Sequence, residues 1–311
     1  MKKREHKEEI IEFSSLGSDI QIRIRGNVKN KSELENSIRD FYRKKEKIFS
    51  RFDEKSELSF LNNNLLKFNS ASCDIINLAK KSLEYYQKSQ GYFDPRIIEA
   101  LEEIGYKKSF VFFDFSEAKK GEKISLIETN LEQDLMIDRD KVFFRCRMDF
   151  SGLAKGYITD QAANFVRERG ISNFLVDSGG DMRVLGRDRS GENWRISLEG
   201  FSEEKLLIEL TDDFQGVATS GISRRKWEVG GKKFHHLINP KAADEFSFNL
   251  KSVTVVAKTT EEADIWAKVL FLMGKEKGLE FSENSNIRSL FLDYNGNIFL
   301  SSSMKNNLVK I

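Results

Sequence analysis

Residues 151–186 read SGLAKGYITDQAANFVRERGISNFLVDSGGDMRVLG, and the fold class can be predicted from them. A turn rich in small residues precedes an amphipathic segment that predicts a helix ending at Arg169, and the runs NFLV and MRVLG predict two strands joined by a tight turn. Residues 252–273 show the same alternation, with the strand SVTVVA, the turn KTTEEAD and a helix ending at Met273. Because helices and hairpins are mixed, we predict an α+β fold with mixed, largely antiparallel sheets.

The rest of the chain carries shorter signals. Residues 1–13 are predicted to form a charged, helix-prone and mobile lead-in, and residues 50–64 are predicted to be polar and rich in turns. The remaining periodicity predicts a strand at 19–25, helices at 31–50 and 74–90, short strands within 110–148 and a hairpin at Asn295–Gly296.

The composition excludes several classes of protein. With 39% hydrophobic and 11% aromatic residues among 311, the chain can build a sizeable core and is not disordered. Its 51 basic and 49 acidic residues leave a net charge of +2, so we predict no nucleic-acid partner. No run of about 18 apolar residues is present, which predicts no membrane span. Three His and two Cys argue against a histidine-built zinc site and against a disulfide framework.

The first residues, MKKREHKEEIIEFSS, give an expectation about location. They contain no apolar segment of the length that a signal peptide needs, and no Cys for lipid attachment lies near them. The chain as it stands is therefore expected in the cytoplasm. A chain whose export leader had been removed would look the same.

Two glycine-containing segments are candidate phosphate sites. In the first, Asp149 and Lys155 flank a predicted helix start, where free N–H groups attract anions. The alternative is a capped helix with a solvated lysine. In the second, Gly179 and Gly180 between two strands allow a ligand to approach the backbone closely. An ordinary hairpin with polar ends, among them Asp181, explains that segment equally well.

Two further segments suggest a base and a cation site. Residues 217–221, VATSG, predict a turn that could face a phosphate, and His235 and His236 follow in HHLINP. Histidine is the usual general base near neutral pH, although a structural histidine is the more common case. Asp264 precedes Lys268 by four residues in a predicted helix, so it could bind a hard divalent cation or form an ordinary surface pair.

The order and spacing of seven segments carry more weight than any one of them. The chain resembles the ApbE family, the FAD:protein FMN transferases, from about Leu16 to Ser301, through the segments SRFDEKSELSFLN, GYFDP, DFSGLAKGYITD, NFLVDSGGD, GVATSG, HHLINP and SVTVVAKTTEEADIWAKVLFLMG. The resemblance implies a T-fold-related α+β fold. It also implies one domain over residues 14–311, with an FAD cleft between two packed subdomains.

The resemblance also implies an activity. Members of the family transfer FMN from FAD to a Thr or Ser hydroxyl of an acceptor flavoprotein, with Mg²⁺ as cofactor and AMP as the second product. The alternatives for this chain are an FAD pyrophosphatase, which makes FMN and AMP, and a catalytically weak FAD-binding protein.

The implied site combines the resemblance with the glycine-containing segments. The family's catalytic histidine falls on His236, with Asp181 as a possible helper, and its metal ligands fall on the carbonyl of Gly152, on Asp264 and on the position of Lys268. Family FAD contacts fall on Leu16, Phe52, Tyr92, Phe93, Asp94, Asp149, Lys155 and Ile238. The segments themselves add, as candidate cofactor-binding residues, Ser178, Gly179, Gly180, Thr219, Ser220 and Gly221.

Lys268 is the main departure from the family, which usually has an oxygen ligand there. An ammonium group has no lone pair and cannot bind Mg²⁺. Either its charge replaces the metal, giving a metal-independent or weakly active protein, or it swings out and leaves Asp264 and phosphate oxygens to hold Mg²⁺. Smaller departures are Phe52 for Tyr, Arg96 for Thr, and Lys241-Ala-Ala for Arg-Thr-Gly.

Overall fold

The structure is a computed structural model that describes residues 6–106, 129–198, 206–211, 215–223, 225–229 and 231–310. The helices in chain order are α1 (Lys31–Phe49), α2 (Glu57–Asn62), α3 (Cys73–Lys88), α4 (Ile98–Glu103), α5 (Leu131–Asp134), α6 (Ser151–Arg167), α7 (Thr260–Met273) and α8 (Lys275–Asn284), followed by a 3-10 helix at Ser302–Asn307. The strands are β1 (Glu8–Ser15), β2 (Ser18–Arg25), β3 (Phe68–Ser70), β4 (Leu135–Asp138), β5 (Lys141–Phe144), β6 (Phe174–Ser178), β7 (Asp181–Leu185), β8 (Trp194–Ser197), β9 (Leu206–Leu210), β10 (Gly216–Gly221), β11 (Lys226–Val229), β12 (Lys232–His235), β13 (Leu250–Ala257), β14 (Arg288–Asp293), β15 (Ile298–Leu300) and β16 (Leu308–Lys310).

The α+β class is confirmed. An eight-stranded sheet has the order β1-β2-β6-β7-β10-β13-β14-β15, and smaller sheets join β16-β9-β8, β3-β5-β4 and β11-β12. Every strand pair within the described residues is antiparallel. Short turns join the pairs β1-β2, β4-β5, β6-β7, β11-β12 and β14-β15, and longer connections join the other neighbours in the large sheet. The helices and strands predicted around residues 151–186 and 252–273 are present. The part of the chain that the structure describes contains no helix with the length and hydropathy needed to cross a membrane.

Three local predictions were wrong. Residues 8–13, expected in a helix-prone lead-in, belong to β1, because pairing with β2 buries Ile11. Residues 50–64 contain α2, whose first turn is capped by the Ser56 side chain accepting from the amide of Ser59 at 3.0 Å. Residues 217–221 lie in strand β10 rather than in a turn, because both neighbouring strands pair with β10. Of the short strands predicted within 110–148, residues 110–128 lie outside the described residues, and β4 and β5 lie in the rest.

The large sheet is buried on both faces. Val255 and Phe291 pack into the core that includes α6 and α7, while Val256 and Leu290 pack into a second core shared with β8 and β9. Successive strand residues point to opposite faces, so a strand covered on both sides reads as the continuous apolar run SVTVVA.

Helices α6 and α7 pack together at very short range. A Cβ atom at Gly156 would lie 2.7 Å from Cα of Glu261 and 2.8 Å from the carbonyl oxygen of Thr260. The carboxylate of Asp160 accepts from the amides of Thr260 and Glu261 at 2.9 and 3.0 Å, so α6 caps the first turn of α7. Gly156 and Asp160, in the segment SGLAKGYITD, thus hold α7 against α6.

Candidate functional site

A cavity of about 890 Å³ collects residues from distant parts of the chain. This volume is within the range of small-molecule and cofactor sites. Of the predicted site residues, all of which the structure describes, Ser178 and Asp181 lie behind its wall. The others line it: Leu16, Phe52, Tyr92, Phe93, Asp94, Asp149, Gly152, Lys155, Gly179, Gly180, Thr219, Ser220, Gly221, His236, Ile238, Asp264 and Lys268.

Two hairpin turns lie side by side in the cavity wall. Leu16 has a φ of 56°, which is unusual for a residue with a branched side chain, and it sits in the turn between β1 and β2. Gly179 follows β6 with a φ of 67°, and a Cβ atom there would lie 2.7 Å from Cβ of Ser18 in the first turn. Beneath the turns, the Ser178 hydroxyl hydrogen-bonds to the Tyr42 hydroxyl at 2.9 Å and is completely buried. Gly179 therefore allows the two turns to meet.

The start of α6 forms a second part of the wall. Asp149 accepts from the amide of Ser151 at 2.7 Å and lies 3.2 Å from Nε of Arg51. One oxygen of the Asp149 carboxylate thus accepts a hydrogen bond from the start of α6, and the other forms an ion pair with Arg51. Sequence reasoning missed Arg51; its only signal was its place beside Phe52.

Lys155 and Asp181 form a charge pair between α6 and β7. Lys155 Nζ lies 2.7 Å from Oδ2 of Asp181, whose side chain is buried, while the lysine side chain is 30% exposed at the cavity. Burial alone would lower the pKa of Lys155, but the carboxylates of Asp181 and Asp264 outweigh it and raise that pKa. Burial raises the pKa of Asp181, and Lys155 opposes the rise. The pair presents a charged ammonium group to the cavity.

Lys268 occupies the position that the resemblance gives to a metal. Its Nζ donates to the carbonyl oxygen of Gly152 and lies 3.6 Å from Oδ1 of Asp264. Oδ2 of Asp264 accepts from the amide of Gly156 at 3.3 Å. Among the described residues, no three His, Cys, Asp or Glu side chains are grouped to hold a metal ion. Since an ammonium already contacts both implied ligands, the residues present do not fit Mg²⁺.

The two adjacent histidines have different surroundings. The His235 ring is buried among Phe246, Phe248 and Phe271, with Nε2 3.2 Å from the carbonyl oxygen of Ser247. Burial lowers its pKa to about 4. His235 is therefore a structural histidine.

His236 lines the cavity. Its Nδ1 lies 3.4 Å from the carbonyl oxygen of Arg225. Burial, and then the charge of Arg225, lower its pKa to about 3. The imidazole is neutral at pH 7, and donation from Nδ1 leaves the Nε2 lone pair available to accept a proton.

Aromatic groups line another part of the cavity. The Phe52 ring is 41% exposed, with the Arg51 guanidinium carbon 4.2 Å from its centroid and the Tyr106 ring 6.1 Å away. The Tyr92 ring lies near two ammonium groups, since Lys277 donates to its hydroxyl at 3.0 Å and Lys241 Nζ is 5.0 Å from the ring centroid.

The other predicted contacts are held by the protein itself. Asp94 pairs with Arg96, whose Nη2 donates to Oδ2 at 2.6 Å. Arg96, which stands where the family usually has Thr, therefore binds the carboxylate that was expected to contact FAD. Phe93 packs in the main core. The Thr219 hydroxyl on β10 hydrogen-bonds to that of Thr254 at 2.9 Å, and Ile238 is buried in a small apolar cluster beside β11 and β12.

Known proteins resemble the chain over most of its length. The sequence profile of the ApbE family matches residues 16–291. The FAD:protein FMN transferase of Klebsiella pneumoniae (strain 342) is 34% identical over 161 residues, 51% of this chain and 49% of that protein. The FAD:protein FMN transferase of Escherichia coli (strain K12) is 30% identical over 189 residues, 60% of this chain and 53% of that protein. The chain thus spans about half the length of these two relatives.

A solved structure agrees in fold. The apo form of the flavinyl transferase ApbE from Pseudomonas stutzeri superposes with a TM-score of 0.82 at 24% identity, covering 99% of this chain and 98% of that one. This likeness supports the α+β architecture described above. Since the family profile also covers the two hairpin turns, the start of α6, His236 and α7, the chain belongs to the ApbE family.

Proposed function

We propose that the chain is a flavin transferase that moves FMN from FAD to a Thr or Ser hydroxyl of an acceptor protein and releases AMP. The observation that carries the proposal is one cavity that holds a neutral imidazole, His236, together with two ammonium groups, Lys155 and Lys268. A diphosphate needs positive charge beside it, and an attacking hydroxyl needs a proton acceptor. The aromatic part of the cavity provides an apolar surface for a flavin or adenine ring.

In the proposed step, the acceptor hydroxyl oxygen attacks the phosphorus of the FMN half. The bond from that phosphorus to the bridging oxygen breaks, and AMP leaves with the electron pair. The hydroxyl proton goes to Nε2 of His236. Lys155 lies at the wall and stabilises negative charge on the phosphate oxygens. Asp181 acts through Lys155 and is therefore a positioning residue.

The proposed binding site uses the cavity as the FAD cleft between two subdomains. Leu16, Gly179 and Gly180 would bring backbone close to the dinucleotide, and Thr219, Ser220 and Gly221 would face it from β10. Ser178 would support the turn from beneath through Tyr42. Phe52 and Ile238 would contribute apolar contact.

The test uses the whole chain, FAD and an acceptor domain with an exposed Thr. We expect mass spectrometry to find an FMN adduct on that Thr and chromatography to find an equal amount of AMP. An acceptor with Thr→Ala at that position should gain no adduct. AMP without any adduct would show a pyrophosphatase, in which water replaces the hydroxyl. Bound FAD with neither product, with or without Mg²⁺, would refute the proposal in favour of an FAD-binding protein.

A further inference from the structure

Lys268 contacts both groups that would otherwise face a metal ion. It projects from α7, its side chain is 18% exposed, and its ammonium donates to the Gly152 carbonyl on α6. A Cβ atom at Gly152 would lie 2.6 Å from Nζ, so a side chain there would displace the ammonium. Gly152 thus makes room for the cation as well as supplying its acceptor.

A divalent ion cannot share this position. Mg²⁺ requires oxygen ligands at about 2.0–2.1 Å in octahedral geometry. The ammonium supplies no lone pair and adds a positive charge that repels the ion. A metal could enter only if Lys268 left its two oxygen partners.

We infer that Lys268 is a built-in replacement for the divalent cation, so that the cavity binds the diphosphate of FAD without metal. The inference rests on the proposed function for the identity of the ligand. Lys268 and Lys155 both line the cavity and come from different helices, so two fixed positive charges face the same ligand. Because the ammonium already has two oxygen partners in the protein, its position is held before the ligand arrives.

The first test measures FAD binding to the whole chain by flavin fluorescence, in EDTA and in millimolar Mg²⁺. We expect the two affinities of the parent protein to agree within about twofold, because no metal joins the complex. Lys268→Met should weaken binding about tenfold in both buffers, because one charge-assisted contact is lost. Lys268→Thr should be equally weak in EDTA and recover in Mg²⁺, because an oxygen ligand replaces the ammonium.

The matched control is Lys80→Thr, on an exposed position of α3 outside the cavity. It should bind FAD like the parent protein in both buffers. The comparison of FAD affinity in EDTA and in Mg²⁺ can be made on the parent protein alone. It therefore tests the inference even if a variant fails to fold. A parent protein that binds FAD only in Mg²⁺, or does not bind it in either buffer, overturns the inference.

The second test measures metal binding directly, with Mn²⁺ followed by electron paramagnetic resonance in the absence of FAD. The parent protein should leave Mn²⁺ free, and Lys268→Thr should bind it more tightly. Equal Mn²⁺ affinity in the two proteins would overturn the inference. Failure of the proposed function looks different: FAD would bind equally in both buffers, but no acceptor would gain FMN. Transfer that requires Mg²⁺ would refute the role of Lys268 and leave the transferase standing.

Discussion

The wall of the cavity and the layer behind it are made from the same sequence segments. We call Gly152, Lys155, His236 and Lys268 the wall residues. We call Gly156, Asp160, Asp181 and His235 the supporting residues. Each wall residue lines the cavity, whereas each supporting residue lies outside the cavity lining and contacts only other parts of the protein. Residues of one segment therefore have different roles. Substitutions of wall residues should mainly lower activity, and substitutions of supporting residues should mainly lower stability.

The largest expected effect is at the two histidines. His236→Asn should lower the rate of FMN transfer by about 10²- to 10⁴-fold, because the proton acceptor is lost. The free energy of unfolding should change much less. His235→Asn should destabilise the protein and leave the transfer rate of the folded fraction near that of the parent protein. Single-turnover transfer and urea denaturation measure the two quantities. If both variants lowered the transfer rate equally, His236 and His235 could not be assigned different roles.

The next effect concerns the pair between wall and support. Lys155→Met should lower transfer about 10²- to 10³-fold by removing positive charge beside the phosphate. It should also destabilise the fold by about 1–3 kcal/mol, because the buried Asp181 loses its partner.

The double variant Lys155→Met/Asp181→Asn sharpens the comparison. Because the double variant has no buried carboxylate, it should be more stable than Lys155→Met, but its transfer rate should stay low. Recovery of activity as well would show that Lys155 serves only to neutralise Asp181. Urea denaturation and single-turnover transfer are measured on the same preparation.

The supporting histidine should also appear in the pH dependence of stability. Burial lowers the pKa of His235 to about 4, so below pH 6.5 the unfolded chain binds a proton that the folded chain does not. The free energy of unfolding therefore falls as the pH falls, by about 2 kcal/mol from this group between pH 7 and pH 5. His235→Gln should lose less stability than the parent protein over that interval, measured by urea denaturation. Phe60→Ala, which removes no titrating group, should follow the parent protein; a parallel curve for His235→Gln would contradict the prediction.

The contact between α6 and α7 gives a smaller effect. Gly156→Ala should destabilise the protein by about 1–3 kcal/mol, because the new methyl group overlaps backbone atoms of α7. The control is Gly170→Ala, which meets nothing within 4 Å but has a φ of 78°. It should cost about 1 kcal/mol from backbone strain alone. If Gly156→Ala is the milder change in thermal or urea denaturation, the two helices are less closely fixed than their packing indicates.

The smallest effect is expected in the aromatic part of the cavity. Phe52→Ala should weaken FAD binding by about fivefold, because one exposed ring contributes modest contact. Phe60→Ala is the matched control, since that ring is 53% exposed on α2 and lies outside the cavity. Fluorescence titration should show a change for Phe52 and none for Phe60. A loss as large as that for Lys155→Met would mean that ring contact rather than charge dominates binding.

The same division shows what could be predicted from the sequence. Periodicity found α6, β6, β7, β13 and α7, because each of these elements has an apolar pattern of its own. It missed α2, whose six residues are too short for a periodic signal, and β1, whose many charges concealed a paired strand. VATSG looked like a turn because its residues are small. It is a strand because β7 and β13 both pair with β10, and these are contacts between distant segments that no local pattern shows.

The candidate site was predicted less evenly. The residues alone did not separate His236 from His235, and it was the resemblance that favoured His236. The structure adds that His236 lines the cavity whereas His235 is buried among aromatic rings. Gly156 lies in the segment that was a candidate phosphate site, but it packs against Glu261 rather than lining the cavity. Arg51 pairs with Asp149 and Arg96 pairs with Asp94, and both carboxylates were expected to face the ligand. Asp149 is distant from Arg51 in the sequence, and the spacing of Asp94 and Arg96 is not distinctive, so neither pair could be predicted.

The contact at Gly156 has a consequence for the choice of cation. Backbone contacts set the distance between α6 and α7. They therefore also fix the spacing between the carbonyl oxygen of Gly152 and the carboxylate of Asp264. A single side chain on α7, Lys268, occupies the space between these oxygens. If Lys268 replaces the metal, a single substitution at that position should be enough to exchange the ammonium charge for a divalent cation from solution.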